Sequence, residues 1–383
     1  MKLLVQIPQG YEPERRYILD VLLGEFLGLD FEVLPYDDRM VRIIGGDGKE
    51  CQIVDGLFSC AEADWLTPRS LPASRLKWWD SSALPFSPKQ VDSMALKVFK
   101  RSKLVYDTHE LETETVAAHG IRKHLSKILE RVLIRFVDET IVVNDSIAQW
   151  YKQEYRLKRV WVVRNVPYNA GENITKTRML REAFGIRDEE IVYLFTGGIS
   201  QGRGIPLLLD AFSRTHPNRH VVFMGFDHLT SLVQEYAAKY PNIHHHPAVP
   251  SSDVLKYAAG ADVGLCLYEN TCLNHYLCLP NKVFEYMLAG LPMIVSDFPE
   301  MAALVERYDC GWKVAVDVEA LLALVETISL KEVRAKSANA CGARGHFGWH
   351  LEEPTLLEVY RQMLGPQVSV RVPEAYGAIR SIG

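Results

Sequence analysis

The stretch "NHYLCLPNKVFEYMLAGLPMIVSDFPEM", residues 274–301, sets a polar start against a helical pattern and then a short apolar strand. Pro280 suits the first position of a helix, where a missing N–H costs nothing. The pattern predicts a helix from about Asn281 to Ala289, with Gly290 as a left-handed cap and Pro292 forbidding continuation. The first turn of a helix carries unpaired N–H groups and a partial positive charge, which suit an anion. Lys282 adds a full positive charge there. Glu285 lies three residues beyond Lys282 and four beyond Asn281, so the three share a face, while Phe284, Met287 and Leu288 take the other. A cation, a helix end and a carboxylate one turn deeper suit a nucleotide. The diphosphate would rest on the amides and Lys282, and ribose hydroxyls would donate to Glu285. The same spacing also describes a Lys–Glu pair on a solvated face, and spacing leaves both readings open.

Outward from this stretch the chain alternates short apolar strands with helical patterns, the signature of parallel α/β sheets. Strands are expected in "IVYLFTGG", "RHVVFMGF", "NIHHHPAV", "DVGLCLY" and "PMIVS", with helices near 203–214, 229–239, 251–259 and 281–289. These make a five-strand, doubly wound domain. Further helical patterns follow in "VEALLALVETI", "KEVRAKSANACGA" and "EPTLLEVYRQML". Towards the N-terminus, "KLVYD", "ETIVVN" and "RVWVV" read as strands. The segment "HGIRKHLSKILERVLIRFVD" reads as an amphipathic helix, and "DSIAQWYKQEY" as a helix with Asp145 as its N-cap. "RNVPYNAGEN" interrupts the rhythm and marks a linker.

The first hundred residues are less regular. "KLLVQI" and "FEVL" read as strands flanking a helix at 14–28, "MVRIIGGDGKECQIV" as a β-hairpin, and 64–90 as an extended loop. The domain division expected is 1–165, a linker at 166–175, a nucleotide-binding domain at 176–350, and a C-terminal helix and tail at 351–383.

With 383 residues the chain has room for two domains, and 48% hydrophobic and 24% charged residues are ordinary for a globular protein. A net charge of −5 gives no global field for nucleic acid. The N-terminus meets proline and charges too early for a signal peptide, and no apolar run approaches the roughly 20 residues that span a bilayer. Seven cysteines without a CxxC pair read as reduced thiols of a cytoplasmic protein rather than a metal knuckle.

Two more segments have chemical character. In "FTGGISQGRGIPLLLDAF", Gly197, Gly198, Gly202 and Gly204 lie between a strand and a helix, and Arg203 could offer its donor fork to phosphate. The spacing fits neither GxGxxG nor GxxxxGK[ST]. In "VYDTHELETE", Asp107, His109 and Glu110 follow a strand at its C-terminal end, where open α/β sheets bind ligands. A histidine beside carboxylates can serve as a general base or an electrophile, or the segment can be a charged surface turn. The triplet at 244–246 resembles a metal site, but consecutive strand residues alternate faces, so a structural role is expected and no metal site is assigned.

Taken together, "GGISQGRGIPLLLDAF", "LPNKVFEYMLAGLPMIVSDFPEM", "YDTHE" and "VVRNVPYN" resemble segments of the retaining, family-4-type glycosyltransferases of the GT-B fold, over about residues 100–365. The resemblance implies two Rossmann-like domains facing a cleft, with a nucleoside-diphosphate sugar held by the second. The acceptor, a glycan or a lipid-linked one, would enter from the first. It implies that Arg203, Asn281 and Lys282 meet the diphosphate beside Gly198, that Glu285 holds the ribose, and that His109 and Glu110 lie at the reacting sugar. It implies no metal or cofactor, and terminal helices that cross back to the first domain. Its setting is surface polysaccharide or glycoconjugate synthesis. Many members carry a second glutamate eight residues before the first, gripping the donor sugar; here that position is Leu277, and Asn274 or His275 could take its place. Alternatives on the same fold are a sugar-nucleotide epimerase, a glycan phosphorylase or an inactive sugar-nucleotide-binding protein. The helix at 121–136, with Arg122, Lys123, Lys127, Arg131 and Arg135 beside its apolar stripe, fits either a cationic solvated face or contact with the inner face of a membrane.

Overall fold

A computed structural model describes the backbone of strands at 2–8, 30–36, 41–44, 50–54 and 57–60, and the chain at 105–108, 110–115, 120–167 and 174–364. The expected helix at 14–28, the loop at 64–90, His109, the middle of the 166–175 linker and the tail beyond 364 lie outside the described residues. Two compact units emerge from the contacts within the chain. One comprises Met1–Tyr106, His119–Thr140 and Leu357–Gly383, the other Asp107–Ala118 and Ile141–Leu356.

In the first unit, β1 (Lys2–Pro8), β2 (Asp30–Tyr36), β3 (Val41–Ile44), β4 (Glu50–Val54) and β5 (Leu57–Cys60) form a sheet in the order β2-β1-β3-β4-β5. The β1–β2 pair is parallel and the others antiparallel, and β3 with β4 is the expected hairpin. Helix α1 (Gly120–Leu133) continues into a single 3₁₀ turn at Ile134–Phe136. On its apolar stripe Leu125, Ile128, Val132 and Phe136 are exposed, Ile128 by 62%. The helix buries Glu130 and Ile134, and the Tyr106 hydroxyl donates to the Glu130 carboxylate at 2.9 Å, which fixes that edge inward.

Strands β6 (Val105–Thr108), β7 (Glu139–Val142) and β8 (Trp161–Val162) follow one another in a small sheet. Its pairs Ile141–Trp161 and Val142–Val162 are parallel and belong to the second unit. Helix α2 (Asp145–Tyr155) starts at the residue expected to cap it. Asn144, not Asp145, is the N-cap, its Oδ1 accepting from Ile147 N at 2.8 Å.

The main body of the second unit is a parallel sheet of β9 (Ile191–Thr196), β10 (Arg219–Met224), β11 (Ile243–His246), β12 (Val263–Cys266), β13 (Met293–Ser296) and β14 (Gly311–Val314). The order is β11-β10-β9-β12-β13-β14, so the strand order reverses between β9 and β12. The five strands read from sequence are there, with a sixth, β14. Its four residues include Lys313 and only its ends are buried, as suits an edge strand, so it lacked the apolar run that marked the others.

Around this sheet lie α3 (Met179–Phe184), α4 (Ile205–Arg214), α5 (Thr230–Lys239), α6 (Ser251–Ala258), α7 (Leu273–Tyr276), α8 (Asn281–Ala289), α9 (Pro299–Tyr308), α10 (Val318–Thr327) and α11 (Leu330–Ala343). Helix α12 (Trp349–Leu364) ends the described chain, with buried Glu352 accepting from Arg164 N at 2.9 Å. One apolar cluster joins one sheet face to α8, α9 and α11, and another joins the opposite face to α4, α5 and α10. That two-sided cover explains why β9, β12 and β13 are buried throughout and mostly apolar rather than alternating. Helix α8 is tied to the sheet by Tyr286, whose buried hydroxyl lies 3.1 Å from Thr196 N and Leu194 O. Gly264 leaves room for that ring: a Cβ there would stand 2.5 Å from it.

Candidate functional site

At the C-terminal ends of β9 and β10, beside the topological switch point, the second unit holds a cavity of about 750 Å³. Thr196, Gly197, Gly198 and Arg203 line it after β9, and Met224 to Asp227 after β10. Ala248, Val249 and Val254 add an apolar wall. Tyr268, Asn274, His275, Cys278, Asn281, Lys282 and Glu285 line another side, and Glu110, Thr115, Val143, Ile147 and Asn165 close it.

The glycine turn is built for close backbone approach. Gly197 has φ 99°, Gly202 78° and Gly204 67°, and Gly204 is the N-cap of α4. Gly225, at φ 153°, passes so close to Gly197 that a Cβ would meet its carbonyl oxygen at 1.9 Å. Arg203 extends beside Gly198, where a Cβ would come within 3.3 Å of both Arg203 Nη1 and Asp227 Oδ2.

Helix α8 runs over Asn281–Ala289, with Pro280 as N-cap rather than first helical residue, and no side chain caps it. Gly290 is the left-handed cap, at φ 67°. Lys282, in the first turn, is only 6% exposed. Its ammonium lies 3.8 Å from the centre of the Phe195 ring and 6.0 Å from that of Tyr268, and has no hydrogen-bond partner among the described residues. The solvated-face reading of the Lys282–Glu285 pair therefore fails.

Burial lowers the Lys282 pKa to about 8, with nearby Arg203 adding to the effect and Glu285 opposing it. Burial raises the Glu285 carboxyl, against the pull of Lys282. The Arg203 guanidinium sits 5.9 Å from the Tyr268 ring, and the His275 ring meets Tyr268 edge-on at 5.3 Å. Two cations thus rest on aromatic faces. Among the described residues neither has a salt bridge. His275 shares a 2.8 Å hydrogen bond with Thr271 through Nδ1, and burial lowers its pKa. Burial raises the Cys266 and Cys278 thiols, and Cys278 Sγ donates to His275 O at 3.0 Å.

The structure brings Glu110, Gly198, Arg203, Asn274, His275, Asn281, Lys282 and Glu285 to one cavity. It also brings Thr196, Asp227, Tyr268 and Cys278, none of which carried a motif of its own. Leu277 does not line the cavity; its carbonyl accepts from Asn144 Nδ2 at 2.8 Å. The His triplet has structural partners instead. His244 stacks on Phe184 and His220, His245 Nε2 lies 3.1 Å from Gly225 O, and His246 packs on Tyr257.

The sequence profile of the family described as Glycosyl transferases group 1 matches residues 190–329. No curated protein sequence matches the chain. Among solved structures, it is similar to sucrose-phosphate synthase from Thermosynechococcus elongatus, with TM-score 0.61 at 16% identity over 93% of this chain and 94% of that one. It is similar to the UDP-glucose complex of Anabaena HepE, with TM-score 0.57 at 17% identity over 71% and 76%. It is similar to WaaG, a glycosyltransferase involved in lipopolysaccharide biosynthesis, with TM-score 0.52 at 16% identity over 71% and 80%. The fold is thus the α/β, parallel-sheet fold of GT-B glycosyltransferases.

Proposed function

We propose that the chain is a glycosyltransferase that takes a nucleoside-diphosphate sugar and passes its glycosyl group to a glycan or lipid-linked acceptor with retention. The observation that carries this is Lys282: a buried cation with no hydrogen-bond partner among the described residues, at an uncapped helix start, in a cavity that holds a second cation. Burying an unpaired charge is costly, and an anionic ligand offsets the cost. The group 1 domain match supports the enzyme class, and the UDP-glucose bound to the HepE neighbour supports a donor of that type.

In this reading Lys282, Arg203 and the α8 amides take the charge that develops on the departing diphosphate, the task given to a metal ion in other enzymes. No cofactor is used. Glu285 accepts from the ribose hydroxyls. Gly198 lets the backbone approach the phosphates, and His275 and Asn281 border the donor. His109 and Glu110 lie on the side of the reacting sugar. The domain division at 166–175, with the donor in 176–350, belongs to the same proposal, as does a role in surface polysaccharide or glycoconjugate synthesis.

A panel of UDP-, GDP- and ADP-sugars tests it by ligand-dependent melting and by hydrolysis without acceptor. A raised melting temperature with release of nucleoside diphosphate is expected. Formation of a new sugar nucleotide would make the protein an epimerase, and binding without turnover an inactive binder. Peripheral contact with a cytoplasmic membrane face through 121–136 is also proposed, from the exposed Leu125, Ile128, Val132 and Phe136 beside basic residues. No helix among the described residues is long and apolar enough to cross a membrane. Salt-sensitive flotation with anionic liposomes is the expected result; no flotation at low salt would remove the idea.

A further inference from the structure

Asn274 was read from sequence as a residue that could touch the donor. Its amide is engaged elsewhere. Oδ1 accepts from Leu111 N at 2.9 Å, and Nδ2 donates to Glu110 Oε2 at 3.2 Å. The residue is buried in α7, the short helix before the Lys282 turn, and both partners lie more than 160 positions earlier in the chain. Glu110 itself is an exposed residue at the wall of the cavity that also holds Arg203, Lys282 and Glu285. Among the described residues its second carboxylate oxygen, Oε1, has no hydrogen-bond partner.

A carboxylate with one oxygen held by an amide and the other open is suited to accept from a hydroxyl, because ordering it in advance lowers the entropy lost when ligand binds. Glu285 and the cations lie at α8 and the β9 turn, where a diphosphate and ribose would be held. Glu110 reaches the cavity from a different segment. Resting on the glycosyltransferase reading, we propose that Asn274 is a positioning residue, holding one oxygen of Glu110 so that the other accepts a hydrogen bond from a hydroxyl of the donor's sugar. Glu110 is then a sugar-binding residue of the site. Nucleoside diphosphate alone does not reach it.

The chemistry separates this from a merely structural clasp. Losing Asn274 frees the Glu110 side chain, so the effect falls on the sugar nucleotide and not on the nucleoside diphosphate. Asn274→Asp does more, setting a second carboxylate against Glu110 in place of a donor. Two adjacent carboxylates repel unless they share a proton, so the damage eases as pH falls.

The test uses the full chain with Asn274→Ala, Asn274→Asp, Glu110→Ala and the double alanine variant. The probes are UDP with UDP-glucose and GDP with GDP-mannose, the pair that wild type binds being carried forward. Asn274→Ala and Glu110→Ala should each lower turnover of the sugar nucleotide by roughly ten- to a hundredfold. Affinity for the nucleoside diphosphate should stay within about twofold, which also shows that the cavity is folded. The double variant should be no slower than Glu110→Ala alone, as residues acting as a unit are not additive. Asn274→Asp should recover part of its loss between pH 7 and pH 5.5, relative to wild type over that range. The proposal is overturned if Asn274→Ala weakens nucleoside diphosphate binding as much as turnover, if the two single losses multiply, or if turnover is unchanged. A wild-type protein that binds none of the four probes, nor ADP or an ADP-sugar, overturns the glycosyltransferase reading itself, a different result from any of these.

Discussion

Two buried charge clusters sit at opposite ends of the same parallel strands. At the N-terminal end, Arg181 donates to Asp262, Arg187 O and Glu190 O, while Asp262 also accepts from Val192 N at 2.9 Å and Lys176 Nζ at 3.0 Å. Both Arg181 and Asp262 are buried and saturated. At the C-terminal end, Lys282 is as deeply buried, and among the described residues its ammonium meets aromatic faces and no hydrogen-bond partner. The first cluster is complete within the chain and fixes the start of β9. The second has no such closure among the described residues, and an anionic ligand is proposed to complete it. Protein stability should therefore depend on the first and ligand chemistry on the second.

The largest effect should come from the closed cluster. Asp262→Ala leaves Arg181 buried without its carboxylate, and unfolding stability should fall by about 3–5 kcal/mol in chemical denaturation. Nucleoside diphosphate affinity of the remaining folded protein should hardly change; a selective loss of that affinity would break the contrast.

Lys282→Met should do the reverse. Turnover of a sugar nucleotide should drop by on the order of 2–4 kcal/mol of transition-state stabilisation, while the melting temperature without ligand holds or rises. Glu285→Ala should abolish turnover with the fold intact, and near-normal rates would place Glu285 outside the site.

A third expectation concerns acid. His244 is held to a pKa of about 4, chiefly by burial and then by His220, 3.0 Å away across a shared hydrogen bond. Its folded value lies below the unfolded one, so its contribution is present above about pH 6.5 and is lost as pH falls towards 4, on the order of 3 kcal/mol at most. His244→Phe should flatten stability against pH in that window, which denaturant melts at pH 4.5 and 7 would read.

The smallest effect is the pH dependence of binding. With Lys282 near pKa 8 and a diphosphate favouring the ammonium, binding takes up a proton above that pH. Affinity for the nucleoside diphosphate should be level from pH 7 to about 8 and weaken by up to about tenfold per unit beyond. In the free protein the sign is opposite. The depressed value means that stability rises between about pH 8 and 10.5, as the folded state loses its proton first. Calorimetry in two buffers of different ionisation enthalpy would show the proton uptake.

Much of this molecule was legible from local pattern. The strands of the second unit, the α8 boundaries and the Gly290 cap follow from apolar runs and from the backbone limits of Pro and Gly, which act over a few residues. The placing of Arg203, Lys282 and Glu285 at one cavity was legible too, because the glycine turn and the α8 start both sit at strand ends. The sixth strand was missed because an edge strand need not be apolar on both faces. The exposure of the α1 stripe could not be read, because periodicity reports an apolar face without saying whether anything covers it.

By itself, then, the sequence determined the alternation of strands and helices and the positions of the glycines and charges, since propensity and chain geometry are local. Tertiary structure alone decided that Lys282 is buried against Phe195, that Asn274 turns to Glu110 and Leu111, and that Asn144 reaches the Leu277 carbonyl. Each of these depends on residues more than 80 positions apart meeting in space, and burial and hydrogen bonding between such residues have no local signature to read.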